Sequence, residues 1–249
     1  MAKRLALITG GMGGLGETIS TKMADAGYGV AVTYSPTNKT ADKWIADMKS
    51  RGYDFRAYPC DVADFDSAKA CVDAIVKDLG SVDILVNNAG ITRDMTFRKM
   101  TKTDWDAVIH ANLDSVFNMT KQVCDGMTER GWGRIINVAS VNGSKGAFGQ
   151  TNYAAAKSGM HGFTKSLSLE VAKKGVTVNT ISPGYIGTKM VTAIPRRSSR
   201  RRSCRRSRSG GSACRRRWPG SSSTCARTRR PSSTARTSPS TAASTCSRS

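Results

Sequence analysis

From Leu5 to Ile181, unbroken apolar runs alternate with stretches of helical spacing, and that rhythm leaves the chain few folds to adopt. The strand-like runs are Leu5–Thr9, Val30–Tyr34, Phe55–Tyr58, Val82–Val86, Arg134–Val138 and Val176–Ile181. Between them lie helical stretches. Glu17–Ala26 stops at Gly27, and Ala41–Ser50 puts Trp44, Ile45 and Met48 on one face. Ser67–Leu79 turns Cys71, Val72, Ile75 and Val76 inward, and Trp105–Glu129 and Tyr153–Lys173 follow. Strands apolar on both faces are buried on both faces, so helices must cover each side of a parallel sheet. Right-handed crossovers then predict a single doubly wound α/β domain, with ligands beyond the carboxyl ends of the strands.

The residues after the first strand fit that placement. Thr9-Gly-Gly-Met-Gly-Gly-Leu-Gly16 joins a strand to a helix, and its glycines allow a tight turn and close approach to a pyrophosphate. The helix N-terminus adds free N–H groups and partial positive charge. A flexible turn would explain an isolated match, but its place directly after the first strand points to a Rossmann-type dinucleotide site. At the end of the second strand, Val32–Lys39 contains no acid to hold the ribose hydroxyls of NAD. NADP is therefore expected over NAD. Lys39 can pair a 2′-phosphate, and it reads equally well as a solvated loop lysine.

Tyr153 and Lys157 stand at i and i+4 on one helical face. Alone, the pair is weak. Ser140 lies just past one strand, Asn87-Asn-Ala-Gly90 follows another, and Asn112 sits in the long helical stretch. Carbonyl reduction needs a proton donor for the developing alkoxide, and a lysine cation favours the phenolate of a neighbouring tyrosine. Singly, Ser140 also reads as a helix cap and Asn112 as a buried helix amide. Together with the glycine loop they point to catalysis.

With Thr9–Gly16, Asp61-Val62, Asn87–Gly90, Asn112, Ser140, Tyr153/Lys157 and Ser182-Pro-Gly184, the chain resembles the short-chain dehydrogenase/reductase family from residue 4 to about 194. The resemblance implies catalytic roles for Tyr153, Lys157, Ser140 and Asn112, the last holding a water behind the lysine. It implies cofactor contacts at Gly10, Met12, Gly13, Gly14, Leu15, Gly16, Ser35, Lys39 and Cys60. Asp61 and Val62 would touch adenine, although Asp61 also reads as a helix cap. Asn88, Ala89, Gly90, Ile91 and Thr92 would line the cofactor, with Pro183, Gly184 and Ile186 beside its nicotinamide. Asn87–Asp94, Phe97–Thr101, Gly131–Gly143, Phe148–Gln150 and Ser182–Tyr185 are similar to members that reduce acetoacetyl-CoA with NADPH in polyhydroxybutyrate synthesis. By that likeness Asp94, Phe148, Gln150 and Tyr185 face an acyl-CoA thioester. Members that act on thioesters of acyl carrier protein share Asn87–Asp94 and remain an alternative. A homotetramer is the family's expectation.

The net charge of +21 misleads, because sixteen arginines and no Lys, Asp or Glu fall in residues 196–249. Without them +5 remains, so nucleic acid is not an expected partner of the body. After Pro195 the resemblance stops, and Trp218 is the sole large apolar side chain that follows. Residues 1–195 are expected to form the domain and 196–249 a disordered basic tail. Arg, Ser, Thr, Pro, Ala, Gly and Cys are what shifted GC-rich codons yield, so the tail reads as a change of reading frame where the last helix and strand belong. The competing reading is a catalytically silent Rossmann module whose arginine tail binds nucleic acid. Seven cysteines without C-x-x-C and two histidines give no metal site. The N-terminal apolar run is too short for a signal peptide and no stretch is long enough for a membrane span, so a soluble cytoplasmic protein is expected. Re-sequencing the coding DNA should reveal a second frame with aliphatic, glycine-punctuated codons beyond residue 195. The chain as written should be destabilised, aggregation-prone and weakly active at best; a cooperative melt with full reductase activity would contradict that expectation.

Overall fold

The computed structural model describes residues 3–184. The expectations for Tyr185, Ile186 and the tail lie outside the described residues. Six strands form one parallel sheet: β1 (Leu5–Ile8), β2 (Gly29–Tyr34), β3 (Arg56–Pro59), β4 (Val82–Asn87), β5 (Gly133–Val138) and β6 (Val176–Ile181). Their spatial order is β3-β2-β1-β4-β5-β6, so the chain starts in the middle, winds outward to β3, then returns to β4 and winds the other way. The doubly wound architecture expected from the alternation is the one observed.

Alternation within each strand divides the core. Leu5, Leu7, Leu85, Ile135, Val176 and Val178 point to one face, and Ala6, Ile8, Val32, Ile84 and Val86 to the other. The first face is covered by α3 (Phe65–Leu79), α5 (Ser115–Glu129) and α7 (Thr151–Val171), through Ile75, Met119, Met127 and Val171. The second is covered by α1 (Gly14–Asp25) and α2 (Ala41–Ser50), through Ile19, Met23, Trp44 and Met48. Strands buried on both faces need this double cover, and it is why they read as continuous apolar runs.

Three local differences from the sequence expectations have physical causes. Val76 is 43% exposed, because Ala68, Cys71, Val72 and Ile75 already complete the buried stripe of α3 and Val76 falls at its rim. The expected long helix is divided into α4 (Lys102–Ile109) and α5 by a π-helical turn, His110–Asp114. And α6 (Val141–Lys145) escapes periodicity because its five residues carry no apolar repeat. Ser140 caps α6, its hydroxyl accepting the Asn142 N–H at 3.1 Å. Asp61 does not cap α3; Asp64 does, accepting from the Ser67 N–H at 2.6 Å.

Leu85 is fully buried in the middle of β4. Leu85→Ala should cost about 3 kcal/mol of stability, read as a lowered urea midpoint with unchanged slope. A change within error would place the core elsewhere.

Candidate active site

In this strand order the cleft opens at the switch point between β1 and β4, beyond their carboxyl ends. Thr9 spans it. Its hydroxyl reaches the Val86 carbonyl at 3.4 Å and accepts the N–H groups of Asn88 at 2.9 Å and Ala89 at 3.0 Å. The Asn88 amide returns two bonds, to the carbonyls of Thr9 at 3.0 Å and Gly10 at 3.2 Å. Gly10 takes φ +61°, which disfavours a side chain there. A Cβ on Gly16 would meet the Gly10 carbonyl oxygen at 2.2 Å, so only glycine lets α1 start this close to the loop. Gly13 has nothing within 4 Å of its absent Cβ and lends α1 no side-chain cap. An open loop at an uncapped helix start fits the pyrophosphate of a dinucleotide.

The cleft has a volume of about 690 Å³. Gly10, Gly13, Gly14 and Leu15 line it from the loop, Ser35 from the end of β2, and Cys60, Asp61 and Val62 from the end of β3. Asn88, Ala89, Gly90, Ile91 and Thr92 line it after β4, and Pro183 and Gly184 after β6. Asn112, Ser140, Tyr153 and Lys157 complete the wall. Several expected residues lie elsewhere. Gly16 packs beneath the loop, and Met12 packs with the core on the α1 side. Lys39 is exposed outside the wall. Asp94, Phe148 and Gln150 do not line this cleft; Phe148 is 94% exposed, and the Asp94 carboxylate accepts from the Gln150 amide at 2.7 Å. Thr33, Tyr34, Ala111, Val138 and Ala139 line the cleft without having been singled out. Thr33 and Val138 could have been found from their places at strand ends.

Lys157 is the unusual group. Its side chain is buried, and its ammonium donates to the Val138 carbonyl at 2.8 Å. Burial pushes its pKa down to about 8. Tyr153 lies along the same helix face, its ring centroid 5.6 Å from that nitrogen. The sequence suggested that the lysine would lower the phenol's pKa. In the structure it is raised: burial dominates, the Ser140 hydroxyl pulls it back and the Asp94 charge raises it further. Asn112 is wholly buried on the π turn, its amide donating to the carbonyls of Ile91 at 2.9 Å and Val108 at 2.8 Å. Its Oδ1 has no partner among the described residues and faces Gly90, where a Cβ would lie 2.3 Å from it and 3.6 Å from the Lys157 nitrogen. Gly143 was not foreseen. A Cβ there would lie 2.9 Å from the Lys157 carbonyl carbon, so α6 packs against the backbone that carries the lysine.

Among the described residues no group of His, Cys, Asp and Glu could hold a metal, and no helix is long and apolar enough to cross a membrane. Residues 4–199 match the model of the short chain dehydrogenase family. The acetoacetyl-CoA reductase of Cupriavidus necator is 57% identical over 194 residues, covering 78% of this chain and 79% of that protein. Nodulation protein G of Azospirillum brasilense is also 57% identical over 194 residues, with the same coverage. The 3-oxoacyl-(acyl-carrier-protein) reductase FabG of Staphylococcus aureus is 42% identical over 189 residues, 76% of this chain and 77% of that protein. None of these alignments extends through the arginine-rich segment.

The buried lysine gives a prediction with a definite sign. Its folded pKa of about 8 lies below the usual lysine value, so between these the unfolded chain binds more protons. The penalty is complete below pH 8 and is relieved as pH rises towards the unfolded value. Relative to Lys157→Met, the native protein should therefore gain about 3 kcal/mol between pH 7 and pH 10.5 in urea unfolding. Parallel stability curves for the two would show that the ammonium is not desolvated.

Proposed function

The chain belongs to the short chain dehydrogenase family, and from that premise we propose that it reduces a 3-oxoacyl thioester of coenzyme A, acetoacetyl-CoA, to the 3-hydroxyacyl thioester with NADPH. The reading is carried by the convergence of Tyr153, Lys157, Ser140 and Asn112 on the cleft wall that faces the glycine loop. The choice of thioester rests on the 57% identity to an acetoacetyl-CoA reductase, against 42% for the carrier-protein enzyme.

The residues divide the work as follows. NADPH supplies the hydride that the carbonyl carbon receives. Tyr153 gives its phenolic proton to the carbonyl oxygen; the phenol is protonated at neutral pH, and burial holds its pKa above the ordinary value. Ser140 accepts from the Asn142 N–H, so its own O–H, turned to Tyr153 in this structure, would donate to the same oxygen once substrate is present. Lys157 would hold the ribose hydroxyls of the nicotinamide when the cofactor is bound, and it presents its charge behind the phenol. The unpaired Oδ1 of Asn112 accepts from a water that passes a proton on to the lysine. Gly13, Gly14 and the first turn of α1 hold the pyrophosphate. After β2 no carboxylate opposes a 2′-phosphate in Val32–Lys39, which supports NADPH over NADH. This cofactor choice would place the reaction with soluble reductive synthesis, the storage-polyester pathway being the sequence expectation.

Tyr153→Phe should lower kcat with acetoacetyl-CoA by roughly 10²- to 10⁴-fold while NADPH binding, followed by fluorescence titration, stays the same. Turnover preserved in this variant would remove the phenol from the mechanism. Equal kcat/KM for NADH and NADPH would remove the cofactor assignment.

A further inference from the structure

Beside the catalytic wall runs a line of polar groups to which the reaction as described gives no task. The Asp94 carboxylate accepts from the Gln150 Nε2 at 2.7 Å, and the Gln150 Oε1 accepts from the Asn142 Nδ2 at 2.9 Å. The Asn142 backbone N–H in turn donates to the Ser140 hydroxyl oxygen at 3.1 Å. Two regions distant in sequence are joined this way: the loop after β4, and the short stretch from the start of α6 to the residue before α7. We propose that Asn142 is a positioning residue for the substrate, fixing the Gln150 amide and through it the Asp94 carboxylate beside the catalytic serine. This rests on the proposed function together with the expectation, drawn from the family resemblance, that Asp94 and Gln150 face the thioester; both lie beside the cleft wall and not in it.

Asn142 is suited to this by what surrounds it. It is 8% exposed, whereas Asp94, the far end of the line, is exposed. A free glutamine amide at the mouth of a cleft would sample several rotamers and both flips, and ordering it on binding costs affinity. Bonds at both ends remove that freedom before substrate arrives. They also set polarity: with Oε1 taken by Asn142, Nε2 is the end turned to Asp94. The support beneath is firm, because Gly143 packs on the Lys157 backbone and the Ser158 hydroxyl donates to the Gly143 carbonyl at 2.9 Å. One short helix thus carries the serine cap, the asparagine and the contact with the lysine's helix. The Asn142 Oδ1 has no partner among the described residues. The asparagine therefore buries an unpaired oxygen at a cost to stability, which its bond to Gln150 offsets only in part.

Asn142→Leu keeps the branching of the side chain and the backbone N–H that caps Ser140, and replaces the amide with larger methyl groups. Its melting temperature in the full chain is measured beside its kinetics, because the added bulk strains a buried site without touching the specificity of the KM change. Its KM for acetoacetyl-CoA should rise roughly tenfold, the equivalent of one well-placed hydrogen bond, while the KM for NADPH stays constant. Asn142→Leu combined with Gln150→Leu should be no worse than Gln150→Leu alone, because both cut the same line. Asn142→Gln, which restores a donor, should recover part of the loss. An unchanged KM for acetoacetyl-CoA, an equal rise in the KM for NADPH, or additive single effects would each overturn the assignment. If the native chain turns over acetoacetyl-CoA and Asn142→Leu behaves like it, the positioning role fails by itself. If the native chain turns over no 3-oxoacyl thioester, the proposed function fails and takes this inference with it.

Discussion

Where β1 and β4 end side by side, the chain leaves them in opposite directions, and the Thr9 hydroxyl bridges the resulting gap. It reaches one carbonyl and accepts two N–H groups, so one atom sets both the start of the glycine loop and the course of residues 88–90. The two walls of the cleft are thereby fixed to each other at their root. Two glycines complete the arrangement. Gly16 lets α1 close on the loop, and Gly90 leaves room for Asn112 and Lys157 opposite. Backbone geometry, more than side-chain contact, shapes the cleft between the loop and the opposite wall, where a dinucleotide would be held.

On that wall the controlling quantity is desolvation. A lysine buried against a carbonyl and a tyrosine half-withdrawn from water both move towards neutrality, the lysine down and the phenol up. The phenol is protonated at neutral pH with or without this shift, so it can hold its proton until the alkoxide forms. Activating the phenolate by a nearby cation would serve the reverse reaction better. The expected lowering of the phenol's pKa was derived from the charge pair alone, and it omitted the cost of taking that pair out of water.

What the sequence revealed follows from what each residue depends on. Strands buried on both faces must be apolar throughout, and glycines that allow backbone contact admit no substitute, so β1, β4 and the loop could be read directly. Tyr153 and Lys157 were legible because a regular helix brings i and i+4 together. Helix α6 was not: it has no apolar stripe and exists because Ser140 caps it and Gly143 lets it sit on α7. The π turn at His110–Asp114 left no trace either, since widening a turn changes which face Asn112 occupies without changing the composition. Lys39 reads from the sequence equally as a partner for a 2′-phosphate and as a solvated loop lysine, and the structure has it exposed and away from the cleft wall.

The same reasoning explains why the substrate side was harder to read than the cofactor side. Cofactor contacts sit at strand ends, whose order in space follows from their order in the chain. Asp94, Asn142 and Gln150 meet because a loop, a five-residue helix and a helix entrance converge, and none of the three is set by a periodic pattern. Such sites can vary without disturbing the sheet, since each depends on one or two side-chain hydrogen bonds worth about 1 kcal/mol apiece. A fold of this kind therefore holds the hydride chemistry nearly constant in its framework and leaves the choice of substrate to weak polar contacts. In this chain the proposed substrate contacts are tied to Ser140 by the same short helix, so under the proposed mechanism substrate placement and proton donation would share one support.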